Sequence, residues 1–203
     1  LGRVNNLFGK PLDGKGFVPT TSEAPYFRTA PGISERARVE DPLESGVTLV
    51  DVLLPLVKGQ RMAVMGDSKS GKTSFLVQAA INQARAGQIV VYVLVAKSRN
   101  ELTRLVEQFT AAKVMNKIVL VVSDTMEPLP VGFLAPFAGC AIAEYFWQNK
   151  QDSVVIYDDF SNHAKIYREM ALLLDENVGR EAYPGDMFHV HSALLERAGK
   201  LAA

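Results

Sequence analysis

Apolar residues recur along this chain with two alternating periods. Residues 88–94 form a nearly continuous apolar run, residues 117–122 and 153–157 repeat it, and Met62-Ala63-Val64-Met65 is a shorter version. Such runs, bounded by turn or polar residues, predict strands covered on both faces. Helical spacing fills the intervals. It predicts helices over residues 73–85, which Gly87 stops, and 100–112, where Leu102, Leu105, Val106 and Phe109 share a face. Further helices are predicted over 133–148 (Leu134, Phe137, Ala138, Ile142, Phe146), 163–174 and 187–201. Alternating strands and helices imply an α/β domain with a mostly parallel sheet flanked by helices and right-handed crossovers.

Residues 1–45 lack this periodicity. Four prolines (Pro19, Pro25, Pro31, Pro42) and the turn chemistry of Pro11-Leu12-Asp13-Gly14-Lys15-Gly16 predict an extended arm and linker. A short amphipathic turn over 47–54 and the turn Lys58-Gly59-Gln60-Arg61 then lead into the first expected core strand, so residues 46–203 read as the globular domain.

Composition narrows the function. With 203 residues, 48% hydrophobic and 22% charged, the chain suits one well-buried domain. Lys plus Arg and Asp plus Glu both total 22, which argues against a surface built for nucleic acid or anionic lipid. No apolar run is expected to reach the length of a membrane span and no signal peptide is visible, so membrane association is expected only through partners. Cys140 cannot form an internal disulfide and reads as a small buried helix residue, which points to a reducing compartment. Leu1 in place of an initial methionine suggests a processed or cut N-terminus.

The strongest local signal is Gly66-Asp67-Ser68-Lys69-Ser70-Gly71-Lys72-Thr73, followed by Ser74. It fills every fixed position of G-x-x-x-x-G-K-[ST] between a predicted strand and a predicted helix. Backbone N–H groups in such a loop surround a phosphate, and the helix adds the positive end of its dipole. Lys72 supplies a point charge for the outer phosphates, and the Thr73 hydroxyl is a ligand suited to Mg²⁺. Val154-Val155-Ile156-Tyr157-Asp158 has the form of a Walker B strand, with Asp158 at its tip to orient the magnesium shell. Asp159 reads as a second carboxylate there or as a helix cap. Hydrolysis also needs a group that orients water, and the expected place for it holds Lys97. Lys97 reads as a solvated strand-end lysine or an added phosphate contact, and in neither case as a base. His163, His189 and His191 show no metal-ligand spacing and are expected to pack or face solvent.

Several stretches together resemble the alpha subunits of F-type ATP synthases. They are Asn6-Leu7-Phe8-Gly9-Lys10-Pro11-Leu12-Asp13-Gly14-Lys15-Gly16, Ala30-Pro31-Gly32-Ile33, Gly59-Gln60-Arg61 and the phosphate loop. Ile156-Tyr157-Asp158-Asp159, Gly179-Arg180-Glu181-Ala182-Tyr183-Pro184-Gly185-Asp186 and Leu194-Leu195-Glu196-Arg197-Ala198 complete the set. The resemblance implies a RecA-like P-loop NTPase fold. It also implies ATP or ADP with Mg²⁺ held mainly for structure or regulation, in a hetero-hexameric ring with beta-type catalytic subunits around a central-stalk subunit. The setting implied is peripheral, at the inner face of a bacterial or organellar energy-transducing membrane, in proton-coupled ATP synthesis.

The chain departs from that pattern at Lys97, where the family's alpha subunits carry glutamine and its beta subunits glutamate, and at Lys69, where alpha subunits usually carry a nucleotide-contacting glutamine. Ser34-Glu35 and Val39-Glu40-Asp41 differ as well. The family's N-terminal barrel would precede Leu1. Its central strand between the phosphate-loop and Walker B strands, its arginine finger and its helical domain would follow residue 203, so the domain is expected to be incomplete on its C-terminal side. The competing readings are an active RecA-like motor of the export or RNA-translocating type, and an interaction module that no longer binds nucleotide.

Overall fold

The longest apolar run becomes the second-from-edge strand of the sheet in the computed structural model, which describes residues 1–20 and 23–202. Residues 21 and 22 of the expected arm and residue 203 lie outside the described residues. Four parallel strands run in the order β1 (Arg3–Asn5), β5 (Ile118–Asp124), β4 (Ile89–Lys97), β6 (Ser153–Asp158). A two-stranded antiparallel ribbon, β2 (Pro42–Leu43) with β3 (Leu56–Val57), brackets helix α1 (Thr48–Leu53). The remaining helices are α2 (Lys72–Arg85), α3 (Arg99–Ala111), α4 (Leu129–Gln148), α5 (Phe160–Leu173) and α6 (Met187–Glu196).

Period two decides what each helix covers. Val90, Tyr92 and Leu94 of β4, with Leu120, Val122 and Ile156, pack against Val77 and Ala80 of α2 and Leu105 and Phe109 of α3. Val91, Val93 and Val95, with Val119 and Val121, face Ala135 and Ala138 of α4 and Ile166 of α5. The α/β architecture with a parallel sheet between helices is therefore the one that the hydrophobic pattern predicts.

Four differences from the expected elements have local causes. Helix α4 starts at Leu129 rather than 133, because Pro128 occupies the N-cap and Pro130 lies in the first turn, where a missing N–H costs nothing. By length and mean hydropathy (1.4), α4 could also cross a membrane, contrary to the expectation that no such run exists; it lies instead against the sheet, with more than half of its most apolar stretch buried. Helix α6 ends at Glu196 rather than 201, because the chain beyond it turns to bond with the arm: Ala37 N–H donates to Lys200 O (2.7 Å) and Ala202 N–H to Glu35 O (2.9 Å). The first residues are more than an arm, since β1 extends the sheet and Val4 and Leu7 are buried.

The fourth difference concerns Met62-Ala63-Val64-Met65, the expected first core strand. This segment forms no strand, lies outside the sheet and is largely exposed. A strand of four residues gains its ladder bonds only from a neighbour. Among the described residues no strand pairs with residues 62–65, and β6 remains an edge of the sheet.

The N-terminal and C-terminal segments are joined through a buried charge pair. Arg197 Nε and Nη2 donate to the Glu144 carboxylate of α4 at 2.7 and 2.8 Å, and Nη1 donates to Tyr26 O at 2.6 Å. Cys140, one turn before Glu144, is buried as expected, and burial pushes its thiol up to about 11. His163 is fully buried, stacked on Phe133, and its two ring nitrogens lie 2.9 Å from Phe133 O and from His191. Both His163 and His191 therefore serve packing.

A Cβ at Gly139 would fall inside the Val93 side chain where α4 crosses β4, so Gly139→Ala is expected to cost about 1–3 kcal/mol in urea unfolding. Burial, with His191 as a smaller contribution, holds His163 down at about 4, against 6.5 when unfolded. The unfolded chain therefore binds more protons between those values. Stability from this group is complete above pH 6.5 and falls as pH drops toward 4, by up to roughly 1.4 kcal/mol per pH unit. Urea midpoints compared at pH 7 and pH 5 are expected to show a smaller fall in His163→Gln.

Candidate functional site

The site forms at the carboxyl edge of the sheet, where α/β folds bind ligands. Asp158 ends β6, almost fully buried, and every one of its contacts comes from another element. Thr73 Oγ1 of α2 donates to Asp158 Oδ2 at 3.2 Å, and the Tyr92 hydroxyl of β4 donates to the same oxygen at 3.0 Å. Lys97 Nζ lies 3.0 Å from Asp158 Oδ1 and 2.9 Å from Asp159 Oδ2. Asp159 also caps α5, accepting the Asn162 N–H at 2.7 Å.

The two carboxylates act on Lys97 and Tyr92. Burial pulls the Lys97 ammonium down, but its hydrogen bonds to Asp159 and Asp158 and their charges more than offset this and hold it above the ordinary lysine value. Burial, then the Asp158 charge and hydrogen bond, push the Tyr92 phenol far up, so it remains a donor.

The phosphate loop lies beside this cluster. Gly66, Asp67, Ser68, Lys69, Ser70 and Gly71 are exposed, as is Ser74 in the first turn of α2. Gly71 is the N-cap of α2 at φ 94°, a left-handed conformation natural only to glycine, and Lys69 adopts φ 62°. Lys72 Nζ turns back on the loop, donating to Gly66 O at 2.7 Å and Asp67 O at 2.5 Å. The first turn of α2 carries no acidic residue to compete for the helix's positive end.

The loop, Thr73 and Asp158 thus come together as the sequence implies, while Lys69 stays on the loop's exposed surface. Lys97 is not a solvated lysine: its side chain is mostly buried and its ammonium is bonded to the two aspartates. Tyr92 belongs to no motif in the sequence, yet a lone tyrosine within an aliphatic strand is a signal, since its buried hydroxyl needs a partner. Thr73 and Asp158 are the hard oxygen donors that magnesium favours and already face each other, so their chemistry fits that ion.

Residues 46–203 match the family described as ATP synthase alpha/beta family, nucleotide-binding domain. Over 202 residues the chain is 41% identical to the ATP synthase subunit alpha of Clostridium botulinum (strain Eklund 17B / Type B). It is 42% identical to the proteins of the same name from Pediococcus pentosaceus and Lactiplantibacillus plantarum. Each alignment takes in the whole chain and about 40% of the relative, so the chain spans less than half the length of the curated relatives it matches.

Tyr92→Phe removes one of the donors to a buried carboxylate. It is expected to lower stability by about 1.5–3 kcal/mol, read from urea unfolding, without altering the fold by circular dichroism.

Proposed function

The chain belongs to the ATP synthase alpha/beta family through its nucleotide-binding domain, and on that premise we propose that it binds ATP or ADP with Mg²⁺ without turning it over, as part of an alpha-type subunit. The observation that carries the non-catalytic reading is Lys97. At the end of β4, where hydrolysis would call for a carboxylate or amide to orient water, stands an ammonium bonded to Asp158 and Asp159. A charged amine has no lone pair with which to hold an attacking water.

Gly66 to Gly71 would wrap the phosphates with backbone N–H groups, Ser74 would add a hydroxyl, and Lys69 and Lys72 would add positive charge. Thr73 and Asp158 would hold the magnesium ion, which supplies neutralising charge between the phosphates. Lys72 must exchange the Gly66 and Asp67 carbonyls for phosphate oxygens, replacing neutral acceptors by charged ones.

The alpha-type reading rests on the names of the relatives, on the Tyr157-Asp158-Asp159 end of β6 and on the Gly179-to-Asp186 loop. In that setting the chain would sit among beta-type catalytic subunits of a hetero-hexameric ring, take part in proton-coupled ATP synthesis and touch the membrane only through the complex. The Tyr183-Pro184-Gly185-Asp186 loop would face the central stalk. Its form is constrained, since Val178 bridges Pro184 and the Tyr167 hydroxyl donates to the Asp186 carboxylate at 2.8 Å.

Calorimetric titration of Mg-ATP and Mg-ADP into the chain and into Lys72→Ala, with phosphate release followed in parallel, tests this reading. Binding is expected without sustained turnover, and Lys72→Ala is expected to weaken it by about 10- to 150-fold. Steady hydrolysis by the chain alone would favour a motor ATPase, and absence of binding an interaction module.

A further inference from the structure

The backbone departs from regularity to deliver Lys97 to its aspartates. On β4 the side of Tyr92 and Leu94 carries Asp158, since Leu94 pairs with Asp158 in the parallel register with β6. By strict alternation Lys97 belongs on the opposite side, with Val93 and Val95, facing α4 and α5. The register prevents this. Leu94 pairs with Val122 and Lys97 with Asp124, so β4 spends one residue more than β5 over that interval. The extra residue moves Lys97 to the Asp158 side, the re-aiming that a β-bulge performs.

Ala96 takes up the distortion at φ 48°, and two side chains hold the bulge. Ser123 Oγ accepts the Ala96 N–H at 2.9 Å, and Asn162 Nδ2 donates to Val95 O at 3.1 Å. A left-handed alanine costs energy, which the ion pairs with Asp158 and Asp159 help to offset. Asp158 is meanwhile engaged at both oxygens: Oδ2 accepts from Tyr92 and Thr73, and Oδ1 faces Lys97. A divalent ion approaching this carboxylate meets the lysine's positive charge at Oδ1 and the two hydroxyl bonds at Oδ2.

We propose that the Lys97 ammonium is a resident cation that fills the divalent-ion position at Asp158 in the nucleotide-free protein and keeps divalent ions out of it. The inference rests on the reading of Asp158 as the carboxylate of the magnesium shell. It follows that a divalent ion enters with the nucleotide rather than ahead of it, and that bound nucleotide depends less on that ion than it would with a neutral residue at position 97.

Mn²⁺ titrated into the full chain without nucleotide, with free Mn²⁺ counted by electron paramagnetic resonance, tests the proposal. The unaltered chain is expected to leave the free-ion signal intact. Lys97→Gln is expected to bind Mn²⁺ at least about tenfold more tightly and to gain about 2–4 °C in unfolding midpoint with Mg²⁺. Adding Asp158→Asn should erase both effects, and Lys97→Arg, which keeps a cation, should behave like the unaltered chain. Lys97→Met replaces the glutamine variant should that one fail to fold. Equal Mn²⁺ affinity in the unaltered chain and the neutral variants, or uptake by the unaltered chain that Asp158→Asn removes, would overturn the proposal. Nucleotide is titrated in separate samples, so failure to bind it counts against the nucleotide reading alone.

Discussion

A strand buried on both faces can place a charge only at its ends. That constraint orders this molecule. Residues 89–95 of β4 are closed off by α2 and α3 on one side and by α4 and α5 on the other, leaving no position there for an ionised group. Ionised side chains therefore collect where β4, β5 and β6 end, as Lys97, Asp124 and Asp158. The phosphate loop meets them because α2, packed on the Tyr92 side of the sheet, begins at that same edge.

Asp158 shows how much a buried charge asks of its surroundings. Tyr92, Thr73 and Lys97 come from β4, α2 and the bulge of β4, so elements far apart in sequence converge on one carboxylate. Removing a single partner from such a group leaves desolvated charge uncompensated, which costs more than the intact pair contributes. The same logic governs Glu144 and Arg197, which tie α4 to the segment after α6 and, through Tyr26 O, to the N-terminal arm. Both networks fasten the periphery to the sheet through charge rather than through apolar area alone.

Much of this was legible in the residues. The helices show their 3.6-residue spacing, the strands their apolar runs, and the phosphate loop and Asp158 their local patterns, because each depends on neighbours in sequence. Residues 62–65 look like a strand in the same way, yet a strand is completed by a partner that no local pattern supplies. Strand β1 was legible only as extended chain: Arg3–Asn5 is three residues of mixed character, and only pairing with β5 makes it a strand. The role of Lys97 was the least accessible. Which face it occupies turns on one extra residue in β4 counted against β5, a quantity that exists only in the register of two strands.

If the loop holds phosphate as proposed, Lys97 and Lys72 illustrate why such a site need not hold its final geometry in advance. Both ammonium groups are engaged, one by backbone carbonyls of the loop and the other by two carboxylates. Neither is left unpaired near the helix's positive end, where like charge would be repelled. An arriving phosphate offers Lys72 a charged acceptor in place of neutral ones, so that exchange runs downhill. For Lys97 the exchange is between two anionic partners and nearly balanced, unless a divalent ion takes over the carboxylates it leaves. On the proposed reading the two lysines would answer the same ligand differently: Lys72 by its own affinity, and Lys97 only as far as another cation relieves it.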